Sequence, residues 1–426
     1  MRKALATFLL IKTILFSSPC FSQRTITMEE AELLFINYNY DIKASNTRVE
    51  LAEANLKQAK LRSNPQLTIE QINLWSTQSQ REGKNELIPP LFGSVAKNRQ
   101  FAIELEQEIT LGGKRRNRVR KERSNQVISQ LNAQLDQKEL LLQFKTILFE
   151  ELFYKESLFI IKRELATLKK IISSYQKQLD LGLISPSELL RLQTHYHQTQ
   201  QELIDTQETV DLLKSNIHSL LGVSIEEGLN FNLDAEKEKC FRQPQLENYI
   251  IENNNRWLAI KESKNQLKHN LAYERAQRIP NLTLLANYDR FGGVWKDFIG
   301  VGIQIELPLS NRNQGDIKAA QALLNLSLSE LEQQKSEIAN RIETAKVNHL
   351  RLLEFNSVLT NNPIHNELDQ LLSNYTKNLL NKNISLLEFL DFIDSYKEGK
   401  TLMLKSKKNI CISYYNLEYL IGQKLN

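Results

Sequence analysis

Along most of this chain apolar residues return every three or four positions, while in four short stretches they return every second one. The longest helical seam runs through Leu158, Ile161, Leu165, Leu168, Ile172, Tyr175 and Leu179, with steps that alternate three and four. It breaks at Gly182 to Pro186 and resumes through Leu192, Tyr196, Thr199, Leu203, Thr206, Val210, Leu213, Ile217 and Leu220. Two seams separated by so short a break predict an antiparallel coiled-coil hairpin, supercoiled left-handedly because the repeat averages about 3.5 residues. At about 1.5 Å per residue, a rising helix from near Gly113 to near Asp180 is roughly 100 Å long, more than a compact domain needs.

The period-two stretches predict strands. Ile299, Val301, Ile303, Ile305 and Leu307 alternate with Gly300, Gly302, Gln304 and Glu306. Leu282, Leu284, Ala286 and Tyr288 alternate with polar neighbours, broken only by Leu285, and Gly292 and Gly293 lie in a link that can close a hairpin. Phe101, Ile103 and Leu105 alternate with Glu104 and Glu106, whereas the strand near Leu67 to Trp75 slips phase at Gln71, where a bulge would account for it. Strands of about ten residues with one apolar and one polar face are the pattern of a transmembrane barrel. Four cannot close one, since the smallest bacterial barrels have about eight. The chain therefore oligomerises, or its strands form a soluble sheet.

These elements come in two copies. Leu181-Gly182-Leu183-Ile184-Ser185-Pro186-Ser187-Glu188-Leu189-Leu190 returns about 200 residues later as Asn381-Lys382-Asn383-Ile384-Ser385-Leu386-Leu387-Glu388-Phe389-Leu390. Leu220-Leu221-Gly222 returns as Leu420-Ile421-Gly422, Glu108 to Leu111 as Glu306 to Leu309, and Asn64 to Leu67 as Ile279 to Leu282. The reading is mainly α with membrane β: repeat 1 over 23–222 (strands near 66–75 and 100–109, helical hairpin 113–222), a linker over 223–242, and repeat 2 over 243–426 (strands near 281–289 and 298–308, helical hairpin 312–422). Ser76 to Asn98 is polar, holds Gly83, Pro89, Pro90 and Gly93, and reads as a long surface loop in the first copy alone.

The N-terminus adds a compartment. Arg2 and Lys3 precede an apolar run from Ala4 to Phe16 and then mostly small residues, the layout of a signal peptide over 1–22. Lipidation at Cys20 is the rival reading, and Pro19 directly before it is a poor context. Of 55 basic residues, Arg2, Lys3 and Lys12 leave with the signal, so the mature charge nearly balances the 50 acids and gives no support to nucleic-acid binding. Cys240 and Cys411 remain, able to form one bridge but more simply read as two unrelated thiols. With no later run of about 18 apolar residues, an exported chain of this kind is periplasmic, secreted or a β-barrel protein.

The order of these motifs resembles the TolC family of outer-membrane efflux proteins over nearly the whole mature chain. Thr27-Met28-Glu29-Glu30-Ala31 is similar to that family's opening, and Pro65 and Pro280 sit where its members pass from helix to strand. Gln107 to Arg115 resembles the heavy-metal cation efflux (RND-type) branch, and Glu306 to Gly315 the general form. The resemblance implies a homotrimer with a 12-stranded β-barrel on a 12-helix α-barrel, in the outer membrane of a Gram-negative bacterium with its helices in the periplasm. Its implied partners are outer-membrane lipid, a periplasmic adaptor (membrane fusion protein) and an inner-membrane RND or ABC pump. A passive conduit for metal cations or small toxic molecules is the implied function. A type I protein secretion channel and a non-pore periplasmic coiled-coil adaptor are the alternatives.

Resemblance also locates the adaptor-contact tips at Gly182, Leu183, Ile184 and Ser185 and at Asn383, Ile384 and Ser385. Lys382 stands where the first copy has Gly182, which opens the question of the second tip's conformation. Glu388 and Asp391, three apart, share a helix face. In a trimer they would ring an aperture with carboxylates, as the family does here, although acids near a helix N-terminus are also ordinary. Glu188 and Arg191 occupy the matching place in the first copy, either pairing between helices or lying solvated on a flank. No catalytic motif, cofactor loop or metal-ligand spacing is present: His195 and His197 are two apart, which points them to different helix faces, and His218, His269, His349 and His365 stand alone. The basic run from Lys114 to Arg123 touches lipid head groups or a partner, or is a solvated face.

Overall fold

The computed structural model describes residues 24–72, 100–222, 229–242, 251, 254–290 and 297–425. The signal segment 1–22 and the loop at 76–98 lie outside the described residues. The chain divides into two compact units: one formed by 47–132 and 256–334, the other by the described parts of 1–46, 133–255 and 335–426.

The first unit holds the sheet. Strands β2 (Gln66–Ile72) and β3 (Gln100–Ile109) of the first repeat pair antiparallel, as do β5 (Leu282–Asp289) and β6 (Phe298–Ile305) of the second. β3 joins β5, so the order is β2-β3-β5-β6. Because successive side chains alternate faces, the register collects the apolar set on one side: Leu67 sits opposite Leu105, Leu105 opposite Ala286, and Ala286 opposite Val301. The other face carries Thr68, Glu104, Glu106, Asn287 and Gly300. The ladder runs unbroken through Gln71, which pairs with Phe101, so the bulge expected there is absent. β6 stops at Ile305 rather than near 308, because its partner β5 begins at Leu282 and Pro308 has no N–H to give.

At the foot of the sheet the strands turn into helices. Lys114, almost fully buried, donates to Asn281 at 2.7 Å, while Asn281 and Ser63 both hydrogen-bond Glu108. Burial draws the Lys114 ammonium below the ordinary lysine value, against the charges of Glu108 and Glu306, the matching acids of the two repeats. The Gln-Glu-Ile-Thr-Leu-Gly-Gly-Lys run is thus a joint: Gly112 and Gly113 take φ of 66° and 74° and let the chain reverse into the next helix.

The second unit contains two cores. The first gathers around α1 (Met28–Tyr38), the middle of α3 (Lys114–Asp180), the end of α4 (Pro186–Leu221) and the end of α9 (Leu386–Ile421). A capping box starts α1: Thr27 accepts from the Glu30 N–H at 3.3 Å and Glu30 accepts from the Thr27 N–H at 3.4 Å. Phe35 then stacks on Phe144 at 4.7 Å. β1 (Arg24–Thr27) pairs parallel with β4 (Leu229–Asn232), and α5 (Asp234–Cys240) follows and packs on α9.

Two asparagines repeat a clamp that the seams do not reveal. Asn39, ahead of α2 (Tyr40–Lys60), reaches the Leu220 carbonyl, and Asn254, ahead of α6 (Asn255–Gln277), reaches the equivalent Leu420 carbonyl. Each satisfies a terminal carbonyl of its repeat's last helix, just before the left-handed caps Gly222 and Gly422.

The second core packs Leu168, Ile171 and Tyr175 of α3 and Leu189 and Leu192 of α4 against Leu372 and Leu379 of α8 (Pro363–Leu380) and Phe389, Ile393 and Tyr396 of α9. The rising limb of the second hairpin is broken where the first is continuous. α7 (Gln314–Asn361) ends before Pro363, which lacks the N–H a helix interior needs and disfavours helical geometry at Asn362.

Candidate functional site

Three surfaces bear on function: the sheet face, the hairpin tips and the ionic groups between hairpins. On the sheet, Leu67 and Ile69 are each 61% exposed, Ile299 77% and Val301 88%. Along β2, β3, β5 and β6 this makes one continuous apolar face that nothing covers among the described residues, and two strand edges, β2 and β6, that have no neighbour among them. In water such a face and such edges would aggregate. Among the described residues no helix is long and apolar enough to cross a membrane.

Below the sheet, Lys60, Arg115, Arg116, Arg120 and Arg123 line one groove with Val119. None of these cations is ion-paired among the described residues.

Both tips end their first helix in the same way. Leu183 N–H bonds the Gln178 carbonyl and Gly182 N–H the Leu179 carbonyl, each at 2.8 Å. Asn383 N–H bonds Asn378 at 2.8 Å and Lys382 N–H bonds Leu379 at 3.0 Å. This is the Schellman arrangement twice, with Gly182 at φ 69° and Lys382 at φ 62° in the left-handed region. The loss of glycine in the second copy has therefore left the tip's backbone unchanged.

Gly182, Leu183, Ser185, Asn383 and Ser385 are exposed, while Ile184 and Ile384 tuck against the neighbouring core. Ser385 caps α9 by accepting from the Glu388 N–H at 3.2 Å. Ser185, with Pro186 behind it, makes no such bond and meets Ser187 at 2.7 Å instead. Glu388 and Asp391 are both exposed on the first two turns of α9. Glu188 lies near Tyr175, whose phenol is held above its ordinary value by burial and by that carboxylate. Among the described residues neither Glu188 nor Arg191 is ion-paired.

Charged groups hidden between the hairpins are the part that periodicity missed. Glu164 is fully buried: Oε1 faces His195 Nε2 and Thr199 Oγ1, both at 3.1 Å, and Oε2 faces Lys397 Nζ at 3.7 Å. Burial works against the Lys397 ammonium, but Glu202 at 2.8 Å and Glu164 hold it above the ordinary lysine value. A few residues away Asp369 receives Arg163 at 2.8 Å, Tyr396 at 2.9 Å and Lys400 at 3.0 Å. Burial alone would raise this carboxyl; Lys400, Tyr396 and Arg163 together hold it below its usual range.

Helices of the two repeats are tied here by ion pairs. The one local signal was Glu164 standing in an apolar stripe with Ile160, Leu168 and Ile171, a second buried stripe beside the seam read from sequence. His195 faces Glu164 while His197 faces Gln200 at 3.0 Å, and among the described residues no group of three His, Cys, Asp or Glu side chains is placed to hold a metal ion.

A long helical hairpin repeated twice, each copy carrying a pair of strands with one bare apolar face, is the fold found in TolC-like outer-membrane channels. Residues 35–223 match the family model of outer membrane efflux proteins. The fold of nearly the whole chain agrees with solved channels. CusC matches at TM-score 0.70 and 17% identity, covering 93% of this chain and 92% of its own. VceC from Vibrio cholerae matches at 0.71 and 14%, covering 93% and 96%. CmeC of Campylobacter jejuni matches at 0.75 and 14%, covering 93% and 85%. No curated protein matches the sequence. The match to the outer membrane efflux protein family thus lies in the first repeat, and the likeness of fold extends over nearly the whole chain.

Proposed function

We propose that three copies of this chain form a passive conduit in the outer membrane of a Gram-negative bacterium, the exit of a tripartite efflux system. The observation that carries it is the four-stranded sheet with a bare apolar face and two open edges. Three such sheets, edge to edge, close a barrel of twelve strands, above the minimum of about eight, and turn the apolar face to lipid. A non-pore periplasmic adaptor would leave that face in water. The basic groove at the foot of the sheet lies where anionic head groups of outer-membrane lipid would meet it. Leu190 and Ile204, both exposed and about two heptads apart on α4, suit a neighbouring copy's helices.

Gly182, Leu183 and Ser185 with Asn383 and Ser385 offer an adaptor their exposed backbone and side chains, while Ile184 and Ile384 anchor the turns from within. Glu388 and Asp391 gather carboxylates at the aperture and attract cations leaving the cell. Metal cations or small toxic molecules are the cargo in this reading, delivered by an inner-membrane RND or ABC pump; a type I protein secretion channel uses the same conduit.

A heat-modifiable trimer in outer-membrane fractions is the expected result. A soluble monomer in the periplasmic extract would refute the channel. In planar bilayers Glu388→Ala and Asp391→Ala should change opening, and unchanged conductance would remove both from the gate. Hypersensitivity of a deletion strain to divalent metals, rather than to dyes and detergents, would support cation cargo.

A further inference from the structure

Helix α5, which follows the first repeat, lies antiparallel against α9, the last helix of the second. The register is visible in two contacts one turn apart: Tyr415 donates to Glu236, and Cys411 meets Cys240. Glu236 and Cys240 are four apart on α5, as Cys411 and Tyr415 are on α9, so each pair shares a helix face. Both cysteines are free thiols here, at 0% and 1% exposure, inside the core that also holds Phe149 and Tyr414. Both are free, as expected, but they share one core and one helix–helix contact.

We propose that Cys240 and Cys411 form an intramolecular disulfide in the exported protein. The inference rests on the reading above that the helices occupy the periplasm, where thiol oxidants are present. The chemistry is two exchanges. The Cys240 thiolate attacks the disulfide of a dithiol oxidase and releases one of its sulfurs as thiolate; the Cys411 thiolate then attacks Cys240 in the mixed disulfide and expels the other. Two electrons and two protons pass to the oxidant, which leaves as a dithiol.

In the closed core the contact with Cys411 and burial hold the Cys240 thiol far above its ordinary pKa, so thiolate is scarce and exchange is slow. The bridge therefore forms while the chain is folding, and it is then protected from reductants. It joins the linker after the first repeat to the last helix of the second, beside α1, and closes a loop of about 170 residues, the kind of long loop for which a cross-link restricts the unfolded chain most.

The test uses the full chain purified from outer membranes, denatured in urea and treated with a maleimide-linked polyethylene glycol with and without prior reduction. No mobility shift before reduction and a double shift after it are expected. Cys240→Ser should show a single shift without reductant. A double shift of the unreduced wild type recovered from outer membranes would overturn the proposal. Recovery in the cytosolic fraction would instead overturn the localisation, and refolding into detergent with a glutathione redox buffer would then decide the pairing. There a bridged monomer supports it, and free thiols or glutathione adducts overturn it.

Discussion

The two hairpin tips have one backbone and two chemistries. Each closes its rising helix with the same pair of hydrogen bonds, yet the first uses Gly182 at the left-handed position and the second Lys382. The first enters its falling helix through Pro186 without a side-chain cap, and the second through Ser385 with one. A glycine is thus a convenience rather than a requirement at this turn. The paired helices on either side impose the left-handed residue, and the lysine accepts a cost of about 1–2 kcal/mol to stand there. What differs is how each tip is held: the second rests on fully buried Phe389, where the first has the smaller Leu189.

That difference can be broken at several points. Phe389→Ala should produce the largest effect, about 3–5 kcal/mol, against about 2–5 kcal/mol for Leu189→Ala. Denaturant midpoints of the detergent-solubilised protein would measure both, and equal losses would mean the two tips lean on the core alike. Swapping the turn residues comes next. Lys382→Gly should stabilise by about 1–2 kcal/mol and Gly182→Lys should destabilise by about as much. A destabilising Lys382→Gly would show that the lysine side chain makes a contact worth more than its backbone conformation costs. Ser385→Ala should cost about 1 kcal/mol while Ser185→Ala leaves stability nearly unchanged, because only the first removes a cap.

The smallest effect is in pH. Asp369 has a carboxyl pKa below its unfolded value near 3.8. Its contribution is fully present above that value and is lost as pH falls through the lower folded one. In Asp369→Asn the acid limb of a stability-against-pH curve should flatten, by a modest amount because the side chain is 45% exposed and its ion pairs are screened. An unchanged limb would place the acid sensitivity elsewhere.

Much of this was legible in the chain. The seam through Leu158 and Tyr175 predicted α3, which runs from Lys114 to Asp180, and the alternation from Phe101 to Leu105 predicted β3. The break at Pro363 is equally local, since a proline has no N–H for a helix interior. Glu164 was hidden for a different reason. An acid on a long helix is ordinarily solvated, and only packing by α4 and α9 closes water away from it and supplies His195, Thr199 and Lys397.

The sequence alone determined the elements, their duplication and which face of each strand is apolar, because period and turn chemistry act over a few residues and need no distant partner. The tertiary structure decided which distant residues meet. Asn39 reaches Leu220, Asn254 reaches Leu420, Arg163 reaches Asp369, and Cys240 lies against Cys411. No local pattern selects such pairs, since any buried polar group needs a partner but its own neighbourhood in the chain does not name one. The same holds for the sheet: alternation prepared an apolar face, and only the β2-β3-β5-β6 register left it whole and, among the described residues, bare and open at both edges.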